Sequence, residues 1–296
     1  MENVYKQSQE RIKGFALCVV AYMVALSGAV LAGSVMGGYS PIAVALAGII
    51  VSTIAIYAFA RFYGNASLFD PYWSVAPLVV AAYFFLISTG ESGGFIWQLT
   101  VLLLVFLWSI RLTLNWARSW RGLEHEDWRY RYLKQKSGGW FWLVELAGIE
   151  LMPALIIFAG CLPLYPALTA ASADFSLLYF VAIAVTIAAI ALEAVADKQL
   201  REFKAARADR VMDKGLWAYS RHPNYFGEVM FWWGLYLFGL AADPSYWWTV
   251  IGPIAVTVLF MTISIPLMEN VNLKFRPGYR EYQGKTSVFI PWFRKS

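Results

Sequence analysis

Eight stretches, each close to the length of a membrane crossing and nearly free of charge, run through this chain of 296 residues. A spanning helix takes roughly 20 mostly apolar residues, because the hydrocarbon core leaves backbone groups nothing to bond except each other. The stretches are Phe15 to Val35, Pro41 to Phe59, Pro71 to Ser88, Phe95 to Ile110, Trp140 to Cys161, Phe175 to Ala191, Phe226 to Ala242 and Trp247 to Met268. The first is not read as a cleavable signal, since it has full spanning length and a second span follows directly. Composition agrees: 15% of residues are charged and 59% hydrophobic, where a soluble domain carries charge at about a quarter of its positions. The expected fold is an all-α integral membrane protein, a multi-span helical bundle of about eight spans. No long repeat, low-complexity tract or linker divides it, so residues 1–296 are expected to form a single membrane domain. A water-soluble globule, a disordered chain and a collagen-like repeat are excluded.

The placement of charge orients the bundle. All 24 Lys and Arg fall in five segments: the N-terminal tail, the connection at Arg61, Arg111 to Lys136, Lys198 to Arg221, and Lys274 to Lys295. With eight spans these five lie on one side, and the opposite connections hold only Glu91, Asp174 and Asp243. Because cytoplasmic loops collect Lys and Arg, both termini are expected in the cytoplasm, with the long basic segments forming a roof over the bundle. Anionic lipid headgroups are then a simpler partner than nucleic acid for the basic loops, even where Trp116, Trp120 and Trp128 stand beside Arg.

Cys18 and Cys161 sit in apolar runs, and with only two histidines they make neither a disulfide framework nor a usual zinc site. No metal is expected, and His125-Glu126-Asp127 is read as a solvated charged loop. Neither a Gly-x-Gly-x-x-Gly nor a Gly-x-x-x-x-Gly-Lys loop occurs, which removes the soluble nucleotide folds.

An ionisable group inside a span costs at least ~2.5 kcal/mol by insertion scales and therefore asks for a reason. Five acids raise the question: Asp70 before the third stretch, Glu145 and Glu150 in the fifth, Glu193 in the sixth and Glu228 in the seventh. For Glu145 the reading is a polar clamp between helices. At about 100° per residue, Glu193, Asp197, Arg201 and Lys204 share one helical face, two acids followed by two bases. This suits either ion pairing along the helix or a nucleotide contact.

The most specific string is Gly215 to Glu228, which contains Arg221-His222-Pro223-Asn224-Tyr225-Phe226-Gly227-Glu228. Pro223 disfavours helix at His222 and suits the first turn of a new one, so Asn224 to Gly227 would present backbone donors to an anion. Arg221 adds a planar fork of donors.

This string resembles the Arg-His-Pro-x-Tyr-x-Gly signature of the membrane steroid 5α-reductase and sterol C14-reductase families and of the isoprenylcysteine carboxyl methyltransferases. Asn224, Gly227 and Glu228 bring it nearer the reductases. Asp-Pro-Tyr-Trp-Ser-Val at 70 to 75 and Gly-Leu-Glu-His-Glu-Asp-Trp-Arg-Tyr at 122 to 130 resemble a bacterial branch of the steroid 5α-reductase-like proteins, which implies a bacterial inner membrane. The resemblance is strongest over 190–296. It implies that NADPH is the cofactor: Asp197 and Lys204 at its adenosine end, Arg221 and His222 at its phosphates, and Asn224 and Glu228 near the nicotinamide, with Tyr219 and Tyr225 also among the cofactor-binding residues. Glu269, Lys274, Tyr279 and Tyr282 belong to a tail resembling the segment that closes over the cofactor, and Arg111 stands where steroid reductases bind it. The chain departs from that pattern at Trp108, where the steroid enzymes carry a catalytic Tyr, in a second stretch that holds no acid, and at Asn270 after Glu269, where the methyltransferases pair two Glu.

The expected activity is NADPH-dependent reduction of the C=C bond of a lipophilic enone taken from the bilayer, with Asp70, Tyr72 and Glu228 as catalytic candidates. The alternative is a methyltransferase using S-adenosylmethionine on a lipid. A transporter is the third class, but its polar groups would gather near the midplane in repeated halves.

Overall fold

The computed structural model describes residues 2–88, 94–170, 176–206 and 210–294, with side chains from residue 8 onward. Glu91, Asp174, Phe175 and Lys295, and the side chain of Lys6, lie outside the described residues. Among those described, every regular element is a helix: α1 (Glu2–Ser34), α2 (Pro41–Tyr63), α3 (Tyr72–Ile87), α4 (Phe95–Ser119), α5 (Trp128–Ser137), α6 (Phe141–Val144), α7 (Met152–Cys161), α8 (Leu164–Thr169), α9 (Leu177–Ala206), α10 (Pro223–Ala242), α11 (Ile251–Leu259), α12 (Ile265–Phe275) and α13 (Tyr279–Lys285). Seven helical segments are long and apolar enough to cross a membrane: Ser8–Ser34, Pro41–Tyr63, Ala66–Ile87, Phe95–Ser119, Trp128–Cys161, Leu177–Ala206 and Pro244–Phe275. The chain is a multi-span helical membrane protein.

The expected seventh stretch is present as α10, whose 20 residues reach about 30 Å, the thickness of a hydrocarbon core. It carries Asn224 and Glu228 in its first turns. It also buries ten residues, among them Glu228, Phe231, Trp232 and Phe238. A helix surrounded by protein contacts side chains rather than lipid and tolerates polar groups. By contrast α1 turns Val19, Met23, Val30 and Leu31 outward, as a lipid-facing helix must.

Local sequence sets the helix ends. Ser40 caps α2, its Oγ accepting from the Ala43 N–H at 3.3 Å, with Pro41 next and left-handed Gly64 closing the far end. In two places among the described residues the helical ladder widens into a π turn, at Glu145–Leu151 and Phe260–Ser264. Each turn runs into a proline, Pro153 and Pro266. Proline has no N–H and clashes with the carbonyl four residues before it, so the chain absorbs one extra residue there.

The chain divides into two compact units, Met1–Ser88 with Trp108–Leu162, and Thr89–Leu107 with Pro163–Ser296. In the first unit Trp116 and Trp120 stack on each other and take Phe15 edge-on, and Trp120 joins Cys18 and Leu68 in a buried cluster. These indoles are therefore packed against the interior of the unit. A cavity of about 960 Å³ lies among α1, α2, α3 and the end of α4, its walls mostly apolar with the Tyr72 and Ser52 side chains among them.

The second unit is organised by the pairing of α9 with α10. Between membrane helices water supplies no drive to associate, so close van der Waals approach of small residues does the work. A Cβ at Gly227 would fall 2.5 Å from Glu193 Cγ, and one at Gly234 would fall 2.2 Å from Thr186 Oγ1. Neither contact is tolerable, so only glycine lets the two helices come this near.

Candidate functional site

The expected start of a helix at Pro223 is observed. His222 leaves the helical region at φ −138° and ψ 58°, and Pro223 opens α10. Phe226 N–H already bonds the His222 carbonyl at 3.0 Å, leaving the preceding amides of the first turn outside the helical ladder. The Asn224 side chain reaches α9, donating to Asp197 Oδ1 at 3.2 Å, while its own carbonyl oxygen is buried without a partner.

The tail is clasped to this turn through one carboxylate. Glu269 Oε1 accepts from Arg221 Nε at 2.6 Å, His222 Nε2 at 3.2 Å and the Tyr279 hydroxyl at 3.1 Å. Oε2 accepts from Arg221 Nη2 at 3.1 Å and Gln283 Nε2 at 2.6 Å. Arg221 Nη1 also donates to the carbonyls of Gln283 and Thr286, at 2.9 and 2.6 Å. Four of the five guanidinium N–H groups are thus engaged, and the side chain is 11% exposed. Backbone contacts extend the clasp: Arg221 N–H to the Ser287 carbonyl at 2.8 Å, Ser220 Oγ to the Phe289 carbonyl at 2.7 Å and Trp292 N–H to the Tyr219 carbonyl at 2.9 Å. Tyr282 donates to the Trp217 carbonyl at 2.5 Å. Burial, reinforced by Glu269 beside Tyr279 and by Tyr279 beside Tyr282, pushes both phenols well above the ordinary value, so both remain donors.

The structure therefore brings Asp197, Arg221, His222, Asn224, Tyr225, Glu269, Tyr279 and Tyr282 into one region of the second unit. Tyr225 lies flat on His222, ring centroids 5.3 Å apart, and leans on Phe260 of the second π turn. Glu228 accepts from Trp232 Nε1 at 3.0 Å within its own helix. Tyr219 is half exposed, its ring edge-on to Phe293. Lys204 continues the α9 face beyond Asp197, with Arg276 and Asp197 within electrostatic reach. Lys274 lies over the Phe275 ring and lines a recess formed by residues 273–280. Gln283 was not among the expected residues. Its spacing of four from Tyr279 on α13 is the signal that would have found it.

Asp70, Tyr72 and Arg111 belong to the first unit. There the segment 65–70, which ends at the first residue of the 70 to 75 motif, and the motif at 122 to 130 are halves of one hydrogen-bonded knot. Asn65 Nδ2 donates to the Leu123 and His125 carbonyls at 2.7 and 3.3 Å. Glu126 accepts from Ala66 N–H at 3.0 Å, Ser67 Oγ accepts from Asp127 N–H at 2.8 Å, and Asp70 accepts from the Tyr130 hydroxyl at 2.6 Å. The loop at 125–127, expected as a solvated face, is instead held through Glu126 and Asp127. Burial alone would raise the Asp127 carboxyl, but hydrogen bonds and charge from Arg129 outweigh it and hold it below the ordinary carboxylate value. Tyr72 is buried at the cavity wall, its hydroxyl 2.7 Å from Ser52 Oγ and donating to the Ile49 carbonyl at 3.1 Å. Arg111 is half buried on α4. Glu145, read as a clamp, pairs with Arg61 at 3.2 Å.

Residues 56–286 match a family described as a protein of unknown function, DUF1295. The uncharacterized protein C594.04c of Schizosaccharomyces pombe is similar, 28% identical over 253 residues that cover 77% of this chain and 73% of the relative. No solved structure matches. The matched region takes in both the knot of the first unit and the Arg221 to Glu269 clasp of the second, and the chain belongs to the DUF1295 family.

Proposed function

We propose that this protein is an NADPH-dependent membrane reductase that acts on the C=C bond of a lipophilic enone, as the steroid 5α-reductase-like signature implies. The observation that carries the reading is the convergence, in one unit, of an anion-suited helix start at Pro223, the Asp197 to Lys204 face of α9 and the tail clasped by Glu269. The donor set fits a dinucleotide phosphate. Lys204 and Arg276 supply cationic charge, Asp197 suits a ribose or adenine donor, and the unpartnered Asn224 carbonyl oxygen suits a carboxamide N–H. NADPH, when bound, supplies a hydride.

The roles of Arg221 and His222 shift from those the resemblance implies. Because Arg221 spends its fork on Glu269 and two tail carbonyls, it orders the segment over the cofactor region and holds the turn in place. The first-turn amides of α10 and the Lys204 region then meet the phosphates. In the first unit the apolar cavity offers a lipophilic molecule room, and the Tyr72 hydroxyl at its wall is the group to polarise a carbonyl. Asp70, bonded to Tyr130, orients the chain entering α3. On this reading both termini face the cytoplasm, with α10 as the eighth crossing.

The test is the thermal midpoint of the detergent-purified protein titrated with NADPH, NADH and S-adenosylmethionine, since a ligand that binds only the folded state raises the midpoint. The expected result is a rise with NADPH that disappears in Lys204→Ala/Arg276→Ala while the unliganded midpoint stays in place. A rise with S-adenosylmethionine alone would replace the reading by methyl transfer, and no rise with any of the three would overturn it.

A further inference from the structure

Glu150 is fully buried in the π turn of the fifth span, and neither carboxyl oxygen has a hydrogen-bond partner. No cation faces it. The charged and titratable groups within its electrostatic reach are Glu145 on the same turn, Tyr22 on α1, Tyr57 on α2 and Tyr72 on α3. A carboxylate deprived of water, cation and donors is so unfavourable that the group keeps its proton instead. A purely structural clamp has to bond something, and this carboxyl bonds nothing. π turns in spanning helices often accompany functional groups, because the extra residue re-aims a side chain.

Its neighbours form a graded path. Arg61 at the end of α2 is 45% exposed, its partner Glu145 is 2% exposed, and Glu150 follows one π turn further in. Within its electrostatic reach is Tyr72, whose hydroxyl pairs with that of Ser52 at the cavity wall.

We propose that Glu150 is a proton-carrying site inside the first unit, loaded from water by way of Glu145 and discharging toward the Tyr72 and Ser52 hydroxyls at the cavity. Its O–H bond breaks as an O–H bond forms on the accepting hydroxyl, which passes its own proton to the molecule in the cavity. The Glu145 carboxylate, paired with Arg61, then takes up a proton from the solvent and hands it to Glu150, which restores both groups. One proton crosses and no electrons move. The site does not depend on the reductase reading. Where that reading holds, this is the proton that completes the reduction after hydride has been added.

The test is infrared spectroscopy of the purified protein in H2O and D2O. A carboxylic-acid C=O band is expected that is lost in Glu150→Gln, is retained in Glu145→Gln, and moves to lower frequency in D2O, more slowly when Glu145 is Gln. If Glu150→Gln does not fold, Glu150→Asp keeps the acid and must displace the band. A folded Glu150→Gln that removes no such band overturns the proposal, as does a band that D2O leaves unmoved, which marks a sealed clamp. Because the band is read without cofactor, failure to bind NADPH leaves this result standing.

Discussion

In the second unit the Glu269 carboxylate is met by four side chains, Arg221, His222, Tyr279 and Gln283, whereas in the first unit the fully buried Glu150 carboxyl is hydrogen-bonded to none. Both acids follow from the same local device, since each lies in or just after a π turn that runs into a proline. The difference lies in what surrounds them. A carboxylate bonded on both oxygens is ionised, fixed and able to order the chain segments that meet it. A carboxyl with no partner orders nothing and is left with a proton to give. Saturation thus marks the clasp of the tail on the Arg221 turn, and its absence marks the group proposed for proton transfer.

The comparison can be broken most forcefully at Glu269. Glu269→Ala strands Arg221, 11% exposed, without its counter-charge. Removing one member of such a pair destabilises by about 3–5 kcal/mol, so the unfolding midpoint in detergent should drop steeply and the tail beyond residue 275 should become open to protease. A variant as stable as the parent would show that the clasp orders nothing.

The first unit has its own hydrogen-bonded acid, and the contrast sharpens there. Tyr130→Phe removes the 2.6 Å bond to Asp70 and leaves that acceptor short, for an expected loss of about 1–3 kcal/mol. Denaturant unfolding followed by tryptophan emission reads it. Loss confined to proteolysis at 122–130, with no change in the midpoint, would reduce the knot to a surface fastening.

The smallest effect concerns Asp127, which caps α5 through Arg129 N–H at 2.8 Å and pairs with the Arg129 side chain. Its folded-state value lies below the ordinary 3.8, so its contribution is complete above that pH and is lost as pH falls through the folded value. Asp127→Asn keeps a capping oxygen and gives up the charge. Parent and variant should differ by no more than about 1 kcal/mol at neutral pH, and the gap should close below about pH 3.8. A gap that persists in acid would assign the difference to shape instead of charge.

Much of the architecture was legible before any coordinates. Apolar runs of spanning length located the crossings, because the bilayer imposes its thickness on composition directly. Proline after His222 located the start of α10, because it lacks an N–H that the first turn does not use. Other boundaries ran further than hydropathy suggested: α4 continues to Ser119 and α9 to Ala206, since a helix leaving the hydrocarbon keeps its hydrogen-bond ladder while its side chains turn polar. Within the site, Arg221, His222 and Asn224 were found from a local string, while Gln283 and the carbonyls of Gln283 and Thr286 were not.

What the sequence by itself determined, then, is what a local rule can reach: the spans, the helix start at Pro223, the glycines and prolines that shape the backbone, and the inventory of intramembrane acids. Tertiary structure alone decided which acids are answered. Glu269 meets Arg221 across 48 positions, Asp70 meets Tyr130 across 60, and Glu150 meets no donor at all. The physical reason is that a carboxyl's state depends on the few groups within hydrogen-bond distance, and in a bundle those groups come from helices far apart in the chain.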